Sequence, residues 1–206
     1  MYAVRLGINN SNKDKGKTFI GEKMETFEEK NGYEADYYRM TGVPYRRSLK
    51  SFLKRHLFHN LSFAFWYRKY KTSGSKIARI VLYRLSRKYG LEISVKANIG
   101  DGLYLGHPYN ITVGEGVEIG KNVNLHKGCT IGNTSRGNRG VPRLGDQVYV
   151  GINATVVGNI TIGEDVLIAP NAYVNVDVPP HSVVIGNPAV IHHKEKATWS
   201  YVNFCV

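Results

Sequence analysis

The stretch from Gly102 to Gly114, GLYLGHPYNITVG, sets His107 inside a run otherwise made of packing residues and glycine. An imidazole titrates near neutrality, at about pH 6.5, so it can take a proton from a hydroxyl as that oxygen attacks a carbonyl carbon. Glu92 stands fifteen residues earlier, and His126 lies further along. A later loop, IGNTSRGNRGVPR, carries Arg136, Arg139 and Arg143 with no acid among them. Taken alone, a histidine in a strand is more often structural than catalytic. The spacing around His107 argues the other way, because a regular pattern breaks there, and broken local rules tend to mark functional sites.

That pattern is a six-residue period. Ile93, Ile99, Leu105, Val113, Ile119, Leu125, Ile131, Leu144, Val150, Val156, Ile162, Ile168 and Val174 fall six apart, with two interruptions. One is a two-residue insertion, read as following Asn110; the other is longer and lies between Thr134 and Arg143. Glycine follows the aliphatic residue in eight of these thirteen units, at 100, 106, 114, 120, 132, 145, 151 and 163. The fifth residue of a unit is small or apolar, as at Ala97, Leu103, Val117, Val123, Cys129, Ala154, Val166 and Ala172. A six-residue period fits neither a helical stripe nor simple strand alternation. It specifies a β-solenoid with one short strand and one turn per unit, three units to a triangular coil and about four coils in all. The aliphatic residues point inward and stack on their equivalents, so each coil buries its interior only against its neighbours.

The rest of the chain has a different character. Residues 1–36 are polar and aperiodic, an arm expected to be disordered or loosely docked. Residues 37–91 read as a basic helical region. Pro44 suits a first helical turn, and Leu49, Phe52, Leu53, Leu57 and Phe58 recur at three- and four-residue spacing. Ser73-Gly74-Ser75 breaks the pattern, and a second helix with Ile77, Ile80, Val81, Leu85 and Tyr89 ends at Gly90. Residues 92–190 form the repeat domain and 191–206 a tail. The net charge is +12, and fourteen of the 28 Lys and Arg residues lie between Arg39 and Lys88, with no acid in that span. This stretch is a solvated basic face, or a surface for anionic lipid headgroups or an acidic polymer. None of the usual nucleic-acid motifs accompanies the charge, so no nucleic acid is expected. Two cysteines are too few for a disulfide framework, and no stretch is long and apolar enough to span a bilayer. The expectation is a cytoplasmic protein, with peripheral contact at the inner face of the plasma membrane left open.

The repeats resemble the left-handed parallel β-helix of hexapeptide acyltransferases. Residues 92–194 are similar to the serine acetyltransferase branch, and most similar to its relatives that O-acetylate bacterial capsular or surface polysaccharides. The motifs that carry this are LGHPYNITVG from Leu105, the loop from Ile131 to Arg143, and IGNPA from Ile185. The resemblance implies acetyl-CoA as donor, no metal, and a homotrimer with sites between neighbouring subunits. It places His107 on the position of the catalytic histidine and Glu92 on that of an aspartate that orients it. It places Asn133, Thr134, Gly151, Ile152, Ala169 and Pro170 along the pantetheine path, and Lys194 near the CoA phosphates. Tyr109, His126, Arg136 and Arg139 are assigned to the acceptor.

Two features tied to serine in that branch are missing. An aspartate precedes the histidine there, where Gly106 stands here, and Gly140 occupies the place of a second, loop histidine. The arginine-bearing loop suits an acidic acceptor. The reading is therefore an acetyl-CoA-dependent O-acetyltransferase acting on a surface-polysaccharide sugar or its lipid-linked precursor by direct transfer, with Cys129 as a small core residue. Serine O-acetylation is the second reading, and a non-catalytic trimeric scaffold the third.

Overall fold

The computed structural model describes residues 31–206, so most of the expected N-terminal arm lies outside the described residues. Helix α1 (Tyr33–Thr41) already begins within the span assigned to that arm. Pro44 starts no helix; it sits in an extended connection to α2 (Leu49–Leu57). Ser48 caps α2 by accepting a hydrogen bond from the Ser51 N–H. Phe58 then adopts an extended conformation and separates α2 from α3 (His59–Ser73), so the single helix expected before Ser73 is two. Ser75 caps α4 (Lys76–Tyr89) in the same way, and Gly90 ends it with φ +68°.

Three sheets follow, one per face of the solenoid, parallel throughout except for the last strand of the six-stranded one. The five-stranded sheet holds β1 (Leu91–Ile93), β4 (Ile111–Val113), β7 (Thr130–Gly132), β10 (Thr155–Val157) and β13 (Tyr173–Val174). The four-stranded sheet holds β2 (Asn98–Ile99), β5 (Glu118–Ile119), β8 (Arg143–Leu144) and β11 (Thr161–Ile162). The six-stranded sheet holds β3 (Tyr104–Gly106), β6 (Asn124–His126), β9 (Tyr149–Val150), β12 (Val166–Ile168), β14 (Ser182–Ile185) and β15 (Val190–His193). The stack thus reaches five parallel rungs on both the five-stranded and the six-stranded face, one more than four coils would give. All thirteen marked aliphatic residues are buried, and the register places them over one another, as in Ile93, Val113, Ile131, Val156 and Val174. The column is a continuous apolar core in which each rung supplies the cover for the next.

The helices close the first rung. Asp36 of α1 and Arg68 of α3 form a buried two-pronged ion pair at 2.8 and 2.9 Å. Asp36 also accepts from the Leu103 N–H, while Arg68 donates to the Ile99 and Gly100 carbonyls. Phe63 and Tyr67 join the solenoid core, and the Tyr67 hydroxyl donates to the Ala97 carbonyl. Not every apolar stripe turns inward. On α2, Leu49, Phe52, Leu53 and Leu57 are all exposed, and on α4 Ile77 and Ile80 are exposed while Ala78 and Leu82 are buried. No helix among the described residues is long and apolar enough to cross a membrane.

At the far end β15 turns back antiparallel on β14. The segment after it lies along the six-stranded sheet. Asp165 accepts from the Ala197 and Thr198 N–H groups and the Thr198 hydroxyl, and the Asn124 amide donates to the Tyr201 carbonyl.

Candidate active site

The corner from the six-stranded to the five-stranded sheet repeats up the solenoid. Register puts Gly90, Asn110, Gly128, Asn153 and Asn171 at equivalent places, and each has a positive φ. Glycine and asparagine tolerate that conformation best. In the second rung Lys127 alone lies between His126 and Gly128; in the first, His107, Pro108 and Tyr109 take its place. The two-residue insertion therefore precedes Asn110 rather than following it, and it includes the histidine. His107 is exposed and has φ +48°, a left-handed conformation that costs a bulky residue about 1–2 kcal/mol.

The corner is fixed from several sides. The Tyr109 N–H donates to the His107 carbonyl, the Asn110 N–H to the Tyr89 carbonyl, the Gly128 N–H to the Tyr109 carbonyl and the Lys127 N–H to the Gly106 carbonyl. The remaining restraint is a side chain from the helices. His59 stacks on Tyr89 at 4.3 Å and lies 4.9 Å from the Tyr109 ring, with its Nε2 buried and without a hydrogen-bond partner. Burial lowers its pKa, and the Pro108 backbone nearby opposes the shift. The sequence gives His59 no constellation, because its partners lie 30 to 50 residues away in the chain and meet it only once α3 docks. Tyr109, assigned to the acceptor from sequence, is a wall of this packed cluster.

His126 lies on β6, directly above β3, the strand that leads into His107. Its residue pairs with Gly106, and its ring occupies the space a side chain at 106 would fill; a Cβ there would overlap the Nδ1–Cε1 edge. Burial first, and the nearby His107 second, push the His126 pKa down to about 4, so the ring is neutral at physiological pH. Its Nε2 is buried without a hydrogen-bond partner. The ring lies 6.0 Å from Tyr104 and 4.6 Å from Tyr149, which in turn packs against Tyr201. These side chains line a cavity of about 390 Å³ on the outer face of the six-stranded sheet, with Arg39 at its inner wall.

Higher rungs of the same corner carry Gly151, Ile152, Ala169 and Pro170, so the structure aligns these four with His107 along one edge. Gly151 must lack a side chain, because a Cβ would meet the Ile168 carbonyl and the Pro170 nitrogen at 2.7 Å. Other expected site residues lie elsewhere. Asn133, Thr134, Arg136 and Arg139 follow β7, so they leave the five-stranded sheet at the edge opposite His107. Their loop closes through a Thr134–Gly140 bridge and docks by Asn138 on Asn159. Lys194 is not on the His107 edge, because the reversal of β15 carries it back to His181 at the start of β14. Glu92 points outward from β1 opposite Thr112, in a groove with Arg79 and Tyr83. Among the described residues no hydrogen bond or ion pair joins it to His107. Cys129 is fully buried, and burial pushes its thiol up to about 12, which rules it out as a nucleophile at neutral pH.

A family model described as bacterial transferase hexapeptide (six repeats) matches residues 142–175. Curated relatives include serine acetyltransferase 2 of Arabidopsis thaliana, 39% identical over 56% of this chain and 36% of its own length. Another is the serine acetyltransferase of Helicobacter pylori, 40% identical over 52% of this chain and 63% of its own. This chain thus spans about a third of the plant relative and less than two thirds of the bacterial one. The serine acetyltransferase of Neisseria gonorrhoeae, solved in complex with serine, superposes with a TM-score of 0.60 and 31% identity, covering 77% of this chain and 67% of that one. These matches overturn the polysaccharide acceptor expected from the sequence: the relatives are named for serine, and the missing aspartate and loop histidine do not move the chain out of their company. The repeats, their stacking and these likenesses agree that the chain belongs to the hexapeptide-repeat acyltransferase family.

Proposed function

We propose that this chain transfers the acetyl group of acetyl-CoA to the hydroxyl of serine, with His107 as general base. The observation that carries the reading is the likeness to serine acetyltransferases over three quarters of the chain, one of them solved with serine bound. The geometry supports it: an exposed imidazole held on an inserted, multiply restrained corner, beside a ledge of small residues running up the same edge. His107 takes the hydroxyl proton as the oxygen attacks the thioester carbonyl. The tetrahedral adduct then expels the CoA sulfur, and the imidazolium returns the proton to it. Such a base contributes about 10²–10⁴-fold, and fixed placement of the two substrates supplies much of the remainder.

In this reading Gly151, Ile152, Ala169 and Pro170 carry the pantetheine arm. Asn133, Thr134, Arg136 and Arg139 serve the His107 corner of a neighbouring copy in a trimer, since within one chain they stand at the opposite sheet edge, and Lys194 meets the CoA phosphates in the same assembly. Glu92 acts through its field, favouring the imidazolium as it forms, rather than through a direct bond. The test is CoA release from acetyl-CoA with L-serine by the purified chain. Turnover is expected, with a loss of about 10²–10⁴-fold in His107→Ala and an unchanged fold by circular dichroism. A wild-type protein that is silent with L-serine overturns the assignment.

A further inference from the structure

Serine carries its amine two carbons from the hydroxyl, so an acceptor poised at His107 presents its ammonium to the same stretch of wall. The candidates for receiving it are few. Gly106 offers no side chain, because the His126 ring fills that space. Lys127 brings a like charge. The Tyr109 ring is packed against His59 and Tyr89. The adjoining cavity, which His126 lines and His107 does not, has no aspartate or glutamate in its wall among the described residues. The Asn124 amide in it is committed to Arg39 and the Tyr201 carbonyl. Two imidazole nitrogens near this corner are buried without a partner, Nε2 of His59 and Nε2 of His126, and of the two rings only His126 lines the cavity. A buried polar atom left unpaired is unfavourable, and a ligand that supplies the missing partner recovers that loss. The ring's burial keeps it uncharged at physiological pH, so a lone pair rather than a second positive charge is offered.

We infer that His126 is the specificity-determining residue of the acceptor site, its Nε2 accepting a hydrogen bond from the α-ammonium of serine, with Gly106 kept free of a side chain to seat the ring. This rests on serine as the acceptor. A neutral imidazole in this place favours a β-hydroxy amine over the same hydroxyl compound without the amine.

The experiment compares L-serine with 3-hydroxypropanoate, which keeps the hydroxyl and carboxylate and lacks the amine, used as a competitor against serine. In His126→Ala the KM for serine is expected to rise about tenfold, while the inhibition constant of 3-hydroxypropanoate is unchanged. His126→Asn restores part of the loss, since its amide oxygen can accept. His126→Phe keeps a ring against Tyr104 and Tyr149 without the lone pair and behaves like alanine. Equal losses for both compounds, or a phenylalanine variant with wild-type KM, would show that the ring only packs, and would overturn this inference while leaving the serine reading intact. A wild-type protein inactive with serine refutes both.

Discussion

The solenoid and the helical segment before it both announce themselves by apolar periodicity, and they treat their apolar residues in opposite ways. In the solenoid every marked aliphatic side chain is buried, Leu125 with 0% of its surface exposed. On α2 the equivalent stripe is bare, Leu57 with 76% exposed. A six-residue period fixes an inside, because a triangular coil closes around its own aliphatic residues. A helical stripe fixes only that one face is apolar, and what covers it depends on how the helix docks. The buried polar contacts follow the same division. The helices are joined to the first rung through Asp36 and Arg68, which pair with each other and bond its backbone, and through the Tyr67 hydroxyl, rather than through α2.

That contrast can be broken at its joint. Asp36→Asn leaves Arg68 as a nearly buried cation without its main partner, and the unfolding free energy should fall by about 3–5 kcal/mol. Denaturant titration measures it, and a loss under 1 kcal/mol would show that the joint lies elsewhere. Within the solenoid, Leu125→Ala removes a stacked side chain with Leu105 below and Val150 above, for an expected loss of about 2–5 kcal/mol. The same truncation at Leu57 should change stability by less than about 0.5 kcal/mol. Equal losses at the two positions would erase the distinction.

A smaller effect concerns the tail. A hydrogen bond from the His181 ring to the Asp165 carboxylate raises the His181 pKa, and burial opposes the rise. Burial alone would raise the Asp165 carboxyl, but bonds from His181 and Thr198 outweigh it and hold it below the usual range. The histidine's contribution is complete below its unfolded pKa of about 6.5 and fades as pH climbs through its raised folded value. The aspartate's is complete above its unfolded pKa of about 3.9 and fades as pH falls through its lowered folded value. The pair therefore stabilises most between about pH 4 and 6.5. Melting curves from pH 6 to 8 should fall for the wild type and flatten in His181→Gln.

The division also explains what the sequence could disclose. The strands, the inward set and the break at His107 are local and periodic, so they were legible. Gly151, Ile152, Ala169 and Pro170 were named from the resemblance alone, and strand register puts them on the His107 edge. The role of His59 was not legible, because α3 docking sets it. The place of Lys194 beside His181 was not legible either, because the period says nothing about the reversal at β15. The Gly106–His126 exchange is a vertical contact, twenty residues apart in the chain, and shows only once the insertion is assigned to the right side of Asn110. The acceptor went astray for the same reason: the absence of an aspartate at 106 was visible, and the ring occupying its space was not.

The reversal of β15 has one more consequence. A parallel solenoid with open ends is a template for its own kind, since each terminal rung displays unpaired strands in the polarity a further copy could extend. By running antiparallel on β14, β15 presents the next molecule with the wrong direction on the six-stranded face. On that face the parallel stack ends at β14, and the outermost strand runs the other way.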